Sequence, residues 1–517
     1  MTSPQPAHYA WSDFLHALRQ PGASLTFSLA GTIPPGSLPG IPGSRAIPSI
    51  RNPFKRGIRM ATSTTTPANT VTNWFGNIVS HPAVIVDATS VDDIVAVMKN
   101  PVKYPSPIRA VGSNHSTAPC GVAENGTLIR MKMNQILKID PVTNTLTAQA
   151  DCTHLQMAKA LEAQKLQFYV NTEIGSLSAG SAACAGTKDA SFPGEYGQVG
   201  SYIIGVKMVL PNGDLLEITE ADQPDIMQLI RSSYGLFGVI YEVTYQVRPL
   251  TPMHVHHTTY SLADFLKALP DFQALGYSIM YYMFPFADKI TVEFRKYNPG
   301  ATGEPNHFAW MIRNQLWGTT GPKIGHEVEQ NFSVPAIRYG IIDSLNAFWR
   351  GQLENVVTGD YTIPGDQIIN YPPVSDDSRY TFSLFAFPAA DFPAAITDFY
   401  KFCNDYYKEK GYRSNLLYVG YYITQDQKAL LSYSWDTPVC TLDPVSTANP
   451  GWEDFLVAYN DFCVARGGRG LLNQTPGLTA AMLQQSFGSR LQTLSDTRKQ
   501  YDPTDRMLTP YFAALLP

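Results

Sequence analysis

The most restrictive feature of this sequence is a stretch where the chain almost stops carrying large side chains. Residues 174–191 read Ile-Gly-Ser-Leu-Ser-Ala-Gly-Ser-Ala-Ala-Cys-Ala-Gly-Thr-Lys-Asp-Ala-Ser. A backbone this bare comes close to something. Two occupants fit: a buried ligand, or a helix and a sheet packed tightly together. A second run, Val111-Gly-Ser-Asn-His-Ser-Thr, follows the apolar stretch Ile108-Arg-Ala-Val. Glycine and small polar residues after a strand let successive N–H groups converge into a nest suited to a diphosphate. The alternative is an ordinary turn with a solvated histidine. Neither run is a Walker A sequence or a G-x-G-x-x-G after the first strand, so P-loop and Rossmann readings fail.

Composition narrows the class. The chain has 517 residues, of which 44% are hydrophobic and only 16% charged, so it can bury a large core. A net charge of −5 supplies no basic field, which argues against a nucleic-acid partner. No apolar run reaches the roughly 20 residues of a transmembrane helix. The six cysteines form no C-x-x-C pair, so a disulfide scaffold or structural zinc site fits poorly. The first residues lack a basic stretch followed by an apolar one, which points to the cytoplasm.

Regular structure is expected from about residue 73. Ser90 is placed to cap an amphipathic helix with Asp92 and Asp93 in its first turn. Strands are expected at 83–87, 107–111, 127–131, 145–150, 203–210 and 237–247, with a helix over 154–163. After Pro249 the elements lengthen and become aromatic, as in Tyr277–Phe286 and Leu416–Ile423, with helices between. That pattern predicts a second sheet carrying helices on one face. The fold class is therefore α+β. Expected boundaries are a Pro/Gly-rich arm over 1–65, a first domain over 66–250, a second over 251–480, and a returning C-terminal segment over 481–517.

Taken together and in this order, the two runs resemble the vanillyl-alcohol-oxidase superfamily of FAD-linked oxidases, which carry a PCMH-type FAD-binding domain and a cap (substrate) domain. Gly112-Ser-Asn-His-Ser is similar to that family's G-x-x-H-S loop, and Ala182-Ala-Cys-Ala-Gly-Thr-Lys-Asp to its second flavin loop. Val199–Asp214, Ser233–Thr244 and Tyr501–Tyr511 resemble its later segments. Within the superfamily the likeness is to the sugar-lactone oxidase, alditol oxidase and type II cholesterol oxidase branch. The resemblance implies FAD, bonded covalently through His115 to the flavin 8α-methyl carbon. It also implies that Val111, Gly112, Ser113, Asn114 and Ser116 hold the diphosphate, and that Ser178, Ser181, Gly186, Thr187, Val239 and Ile240 line the rest. Lys188 stands where many relatives have histidine. Cys184 lies in the loop that carries a second link in the berberine-bridge branch, but its neighbours do not match, so one linkage is expected.

The departures bear on substrate. Members of this branch carry a Glu-x-Arg on a cap strand. Here the corresponding strand is Leu416–Tyr422, where Leu417 and Val419 fill those places and no Glu-x-Arg stands nearby. An apolar wall hydrogen-bonds a polyol poorly. The expected substrate is therefore a mainly apolar or aromatic small molecule, oxidised at an alcohol or other activated C–H, with O2 or another electron acceptor. Tyr418 and Tyr421 are the candidate catalytic phenols. Two alternatives are a biosynthetic flavoenzyme doing cyclisation or isomerisation, and a catalytically silent flavin-binding protein. The pair His254 and His256 could share a strand face, but no third ligand follows by spacing, so no metal is assigned.

Overall fold

The computed structural model describes residues 69–372 and 377–517. The Pro/Gly-rich arm expected over residues 1–65 lies outside them. The α+β architecture expected from the sequence is the one observed. Three sheets organise it.

The first sheet is parallel, with Thr127–Met131 central between Val84–Ala88 and Ile108–Val111. Helix Val91–Lys99 covers it, with Ser90 as the expected N-cap, and Asp93 completes a capping box by reaching back to the Ser90 backbone. Ile94, Val97 and Met98 bury the apolar face of that helix. The second sheet has five antiparallel strands in the order Leu215–Thr219, Ile203–Val209, Val239–Gln246, Thr145–Gln149 and Ile136–Asp140. The turn after Val209 closes through Gly213 at φ +88, a left-handed value that favours glycine.

The third sheet has eight antiparallel strands. Its centre is Lys289–Tyr297, Ser278–Phe284, Tyr418–Ile423 and Val439–Leu442. Side chains of a strand alternate between faces, and both faces of this sheet are covered. One face packs Tyr281 and Tyr418 against helices Leu262–Ala274, Phe392–Lys410 and Trp452–Val464. In Phe392–Lys410 the buried residues Phe392, Ala395, Ile396, Phe399, Tyr400 and Cys403 follow helical spacing, and Gly411 closes the helix at φ +69. The other face packs Met280, Tyr282, Val419 and Tyr421 with Trp310, Trp317 and Trp349. Those tryptophans come from a helical block over His307–Asn355, including a π-helical turn at Leu316–Thr320, that strand periodicity did not foretell.

The C-terminal residues return to the first sheet. Ile108 N–H donates to Arg506 C=O at 2.7 Å, and the Arg506 guanidinium spans the carbonyls of Met98, Pro211 and Tyr104. Among the described residues no helix is long and apolar enough to cross a membrane.

Candidate active site

A cleft of about 1700 Å3, part of it open to solvent, lies between the bare loops and the third sheet. Val111, Gly112, Ser113, Asn114, His115 and Ser116 line it, as do Ser178, Ser181, Thr187, Val239 and Ile240. The two small-residue runs, whose contacts span 61 to 63 residues of sequence, thus share one wall. The loops pack on each other directly: a Cβ on Gly112 would overlap the Ser178 hydroxyl. Gly180 meets Ala150 in the same way, at 2.9 Å for an added Cβ. Gly112 is therefore needed for close approach. The left-handed turn of the loop falls at Asn114 instead, with φ +53, a region asparagine tolerates. Gly186 is not in the wall; its carbonyl accepts from Asn473 Nδ2 at 2.9 Å.

His115 is held from two sides. Its Nε2 lies 2.7 Å from Ser176 Oγ, and its ring stacks on Trp74 with centroids 4.9 Å apart. Trp74 is itself tied to the loop, its N–H donating to Asn114 C=O at 2.8 Å. Tyr371 and Tyr380 close an aromatic box around Trp74, their hydroxyls 2.7 Å apart. Burial pushes the His115 imidazole down to about 3, so it is neutral at ordinary pH.

The opposite wall is mixed. Trp317, Phe382, Val419 and Val445 supply apolar surface. Against the expectation of a wholly apolar wall, two ion pairs also face this space. Lys188 Nζ lies 2.8 Å from Asp443 Oδ2 and 4.0 Å from the Tyr421 ring centroid. Glu173, just before the second bare run, accepts from Tyr421 Oη at 2.9 Å and pairs with the buried Arg313. A Glu-x-Arg does occur on a strand of the third sheet, as Glu293-Phe-Arg295, but neither side chain lines the cleft.

The two tyrosines proposed from sequence separate. Tyr421 lines the cleft. Tyr418 is three positions earlier on the same strand, so its side chain points to the helix-covered face. There it packs on Phe399 at 5.7 Å, with its hydroxyl buried and unpartnered. The reading of Tyr418 as a site phenol is corrected on this ground. Two polar side chains elsewhere serve the fold: Tyr511 Oη donates to Leu472 C=O at 2.6 Å, and Arg231 to Ile203 C=O at 2.7 Å. His254 and His256 contact each other at 3.1 Å on the strand next to the sheet's edge, and among the described residues no group of three or more His, Cys, Asp or Glu could hold a metal ion.

The cleft also holds polar atoms that the protein does not satisfy. Asn473 Oδ1, Gln474 Oε1, Asp443 Oδ1 and Trp317 Nε1 are buried, line it, and have no hydrogen-bond partner. Such orphans cost about 1–3 kcal/mol each and suit a ligand with its own donors and acceptors. A flavin, with ring N–H and carbonyl groups, has that chemistry, and the bare loops leave room for its diphosphate chain.

Comparison with known proteins agrees. Residues 82–219 match the family described as FAD binding domain. The chain is 26% identical to L-gulono-1,4-lactone dehydrogenase of Mycobacterium tuberculosis over 217 residues, 42% of this chain and 50% of that protein. It is 22% identical to L-gulonolactone oxidase of Bos taurus over 258 residues, 48% of this chain and 58% of that one. It thus spans about half the length of the curated relatives it matches. The fold is similar to cholesterol oxidase of Brevibacterium sterolicum, with TM-score 0.69 at 15% identity over 87% of this chain and 97% of that one. It is also similar to 6-hydroxy-D-nicotine oxidase of Arthrobacter nicotinovorans, with TM-score 0.56 at 17% identity over 84% and 92%.

Proposed function

We propose that this chain, which carries an FAD binding domain and the fold of PCMH-type FAD oxidases, is an FAD-dependent oxidase or dehydrogenase of a small molecule. The observation that carries this is the single cleft lined by both bare loops, Tyr421 and unpartnered buried acceptors. Bound FAD would supply a two-electron acceptor for hydride from a substrate C–H. The loop 111–116 would hold its diphosphate with main-chain N–H groups, and Asn473 and Gln474 would accept from its polar ring edge. His115 would be the point of a single covalent attachment, for which a neutral imidazole is a competent nucleophile. Tyr421 would meet the substrate hydroxyl.

The substrate we infer has an apolar or aromatic body and one oxidisable alcohol or activated C–H. Trp317, Tyr371, Tyr380, Phe382 and Val419 support the body, and the Tyr421 hydroxyl supports the polar end. The sugar-lactone names of the relatives favour a polar substrate instead, and Glu173 and Lys188 would serve one. The test is anaerobic bleaching of the flavin by L-gulono-1,4-lactone, xylitol, cinnamyl alcohol and cholesterol. Fast bleaching by the lactone or polyol alone overturns the apolar assignment. A folded, colourless protein that takes up no FAD overturns the whole reading. Whether O2 or another acceptor reoxidises the flavin is read from the same samples on admitting air.

Ser176 gives a further prediction. The Ser176 hydroxyl, 2.7 Å from His115 Nε2, would accept from Nε2–H and so leave the Nδ1 lone pair as the free nucleophile of the ring. Ser176→Ala should slow flavin attachment about fivefold, since one lost hydrogen bond is worth about 1 kcal/mol. The readout is the fraction of chain carrying FAD mass after apoprotein is mixed with FAD. Attachment at the wild-type rate would show that Ser176 plays no part.

A further inference from the structure

Between the flavin loops and the cap sheet, one carboxylate stands apart from the family's Glu-x-Arg. Glu173 comes from the loop before the second bare run, and its backbone is fixed there. Its carbonyl accepts from Ile369 N–H at 2.8 Å, and Gly175 N–H donates back to Ile369 C=O at 3.0 Å. One carboxylate oxygen accepts from Tyr421 Oη at 2.9 Å, and the other takes the Arg313 guanidinium. Arg313 is fully buried and also donates to Tyr282 Oη at 3.2 Å, which in turn donates to Glu293 Oε2 at 3.0 Å. Glu173 and Tyr421 line the cleft; Arg313 stands behind them.

Burial holds the Tyr421 phenol well above its ordinary range, so it enters the reaction protonated and cannot itself be the base. It can pass a proton on only to the acceptor it already faces. We propose that Glu173 is the final proton acceptor for substrate oxidation, reached through Tyr421, with Arg313 holding the carboxylate in place. This rests on the flavin reading above. In the step, the substrate O–H proton moves to Tyr421 Oη as the phenol proton moves to Glu173 Oε2. The C–H bonding pair leaves as hydride to the flavin, the oxidant, and the carbon–oxygen single bond becomes a carbonyl. Glu173 ends neutral and the flavin two electrons richer. The other charged groups beside this pair are Lys188 over the Tyr421 ring, Asp443 on Lys188, and Asp189, which also acts on the Tyr421 phenol.

The test uses the flavin-loaded full chain, with cinnamyl alcohol, cholesterol and L-gulono-1,4-lactone as probes. Glu173→Gln should slow flavin reduction by the reactive probe about 10^2–10^4-fold, with little change in KM, and abolish the acidic limb of the pH–rate profile. Glu173→Asp should restore part of the rate and the limb. Infrared difference spectra of the alcohol-reduced wild type should show a protonated-carboxyl band that Glu173→Gln lacks. Reduction by dithionite should be unaffected in every variant. If Glu173→Gln fails to fold, Tyr421→Phe keeps the Glu173–Arg313 pair and should lose the same band and a comparable rate. A wild-type rate and pH profile in Glu173→Gln, with flavin bound, overturns the proposal alone. An Asp443→Asn variant that loses the band instead assigns the proton to Asp443. Absence of flavin, or no bleaching of the wild type by any probe, overturns the flavin reading and this proposal with it.

Discussion

His115→Ala is expected to bind FAD and yet surrender all of it on acid precipitation. The wild-type pellet should stay yellow, with a chain mass raised by one FAD; the variant pellet should be white at the mass of the bare chain. The expectation follows from the division of labour in the loop. Most contacts to the diphosphate would come from main-chain N–H groups, which the substitution leaves in place, whereas His115 is the one imidazole among the described residues that line the cleft, and its ring is neutral. Its nucleophilic form is present from about pH 5 to pH 9, because its pKa of about 3 lies far below the usual histidine value near 6.5. Attachment should therefore show no limb near pH 6.5. Full release of flavin by the wild type would show that no bond forms. Retention of flavin by His115→Ala would move the bond to another residue, with Cys184 the neighbour to test first.

The second large effect is on stability. Arg295 is fully buried between two carboxylates, Glu293 at 2.6 Å and Asp189 at 2.8 Å, and Glu293 also takes His257 Nε2 at 3.0 Å. Burial works to raise the Glu293 pKa, but Arg295 and His257 outweigh it and hold the group at about 2. Arg295→Met fills similar space and takes the guanidinium away from both carboxylates, leaving Asp189 without a cation and Glu293 with its His257 and Tyr282 partners. The cost should be about 3–5 kcal/mol, the range for breaking a buried pair by removing one partner. A clear drop in thermal midpoint is expected at neutral pH. By contrast, Lys401→Met, which breaks the exposed Lys401–Asp405 pair, should leave the midpoint unchanged. The sign with pH follows from linkage. In the variant, the carboxyls left without the guanidinium have folded pKa values above their unfolded ones, so they destabilise the fold at neutral pH. That penalty should shrink as pH falls from about 7 toward about 4. In the wild type, the depressed Glu293 contributes stability above its unfolded pKa and loses it only toward pH 2. An Arg295→Met midpoint equal to wild type would show that water or a rearrangement satisfies both carboxylates.

How much of this was legible in the residue order depends on how local each cause is. The sequence by itself determined the capped helix at Ser90, because a capping box is made by residues three apart. It determined the strands and their turns, because periodicity and turn chemistry act over a few residues. It also marked where the backbone approaches something closely, because a run without large side chains can only pack closely, but it left open whether a ligand or a sheet is the neighbour. Only the tertiary structure decided which side of the strand Tyr418–Ile423 met the cleft. Tyr418 and Tyr421 differ by an odd number of positions, and which set faces inward depends on packing against helices from residues 262–464. The same holds for the polar wall. Glu173, Arg313 and Tyr421 lie 140 and 248 residues apart along the pairs they form, and no local pattern links them. Glu173 carried one usable signal, a lone carboxylate at the edge of a bare run. Arg313, buried on a helix, carried none. A charge can be kept inside a protein only beside its partner, and partners are chosen by the fold, not by neighbours in sequence.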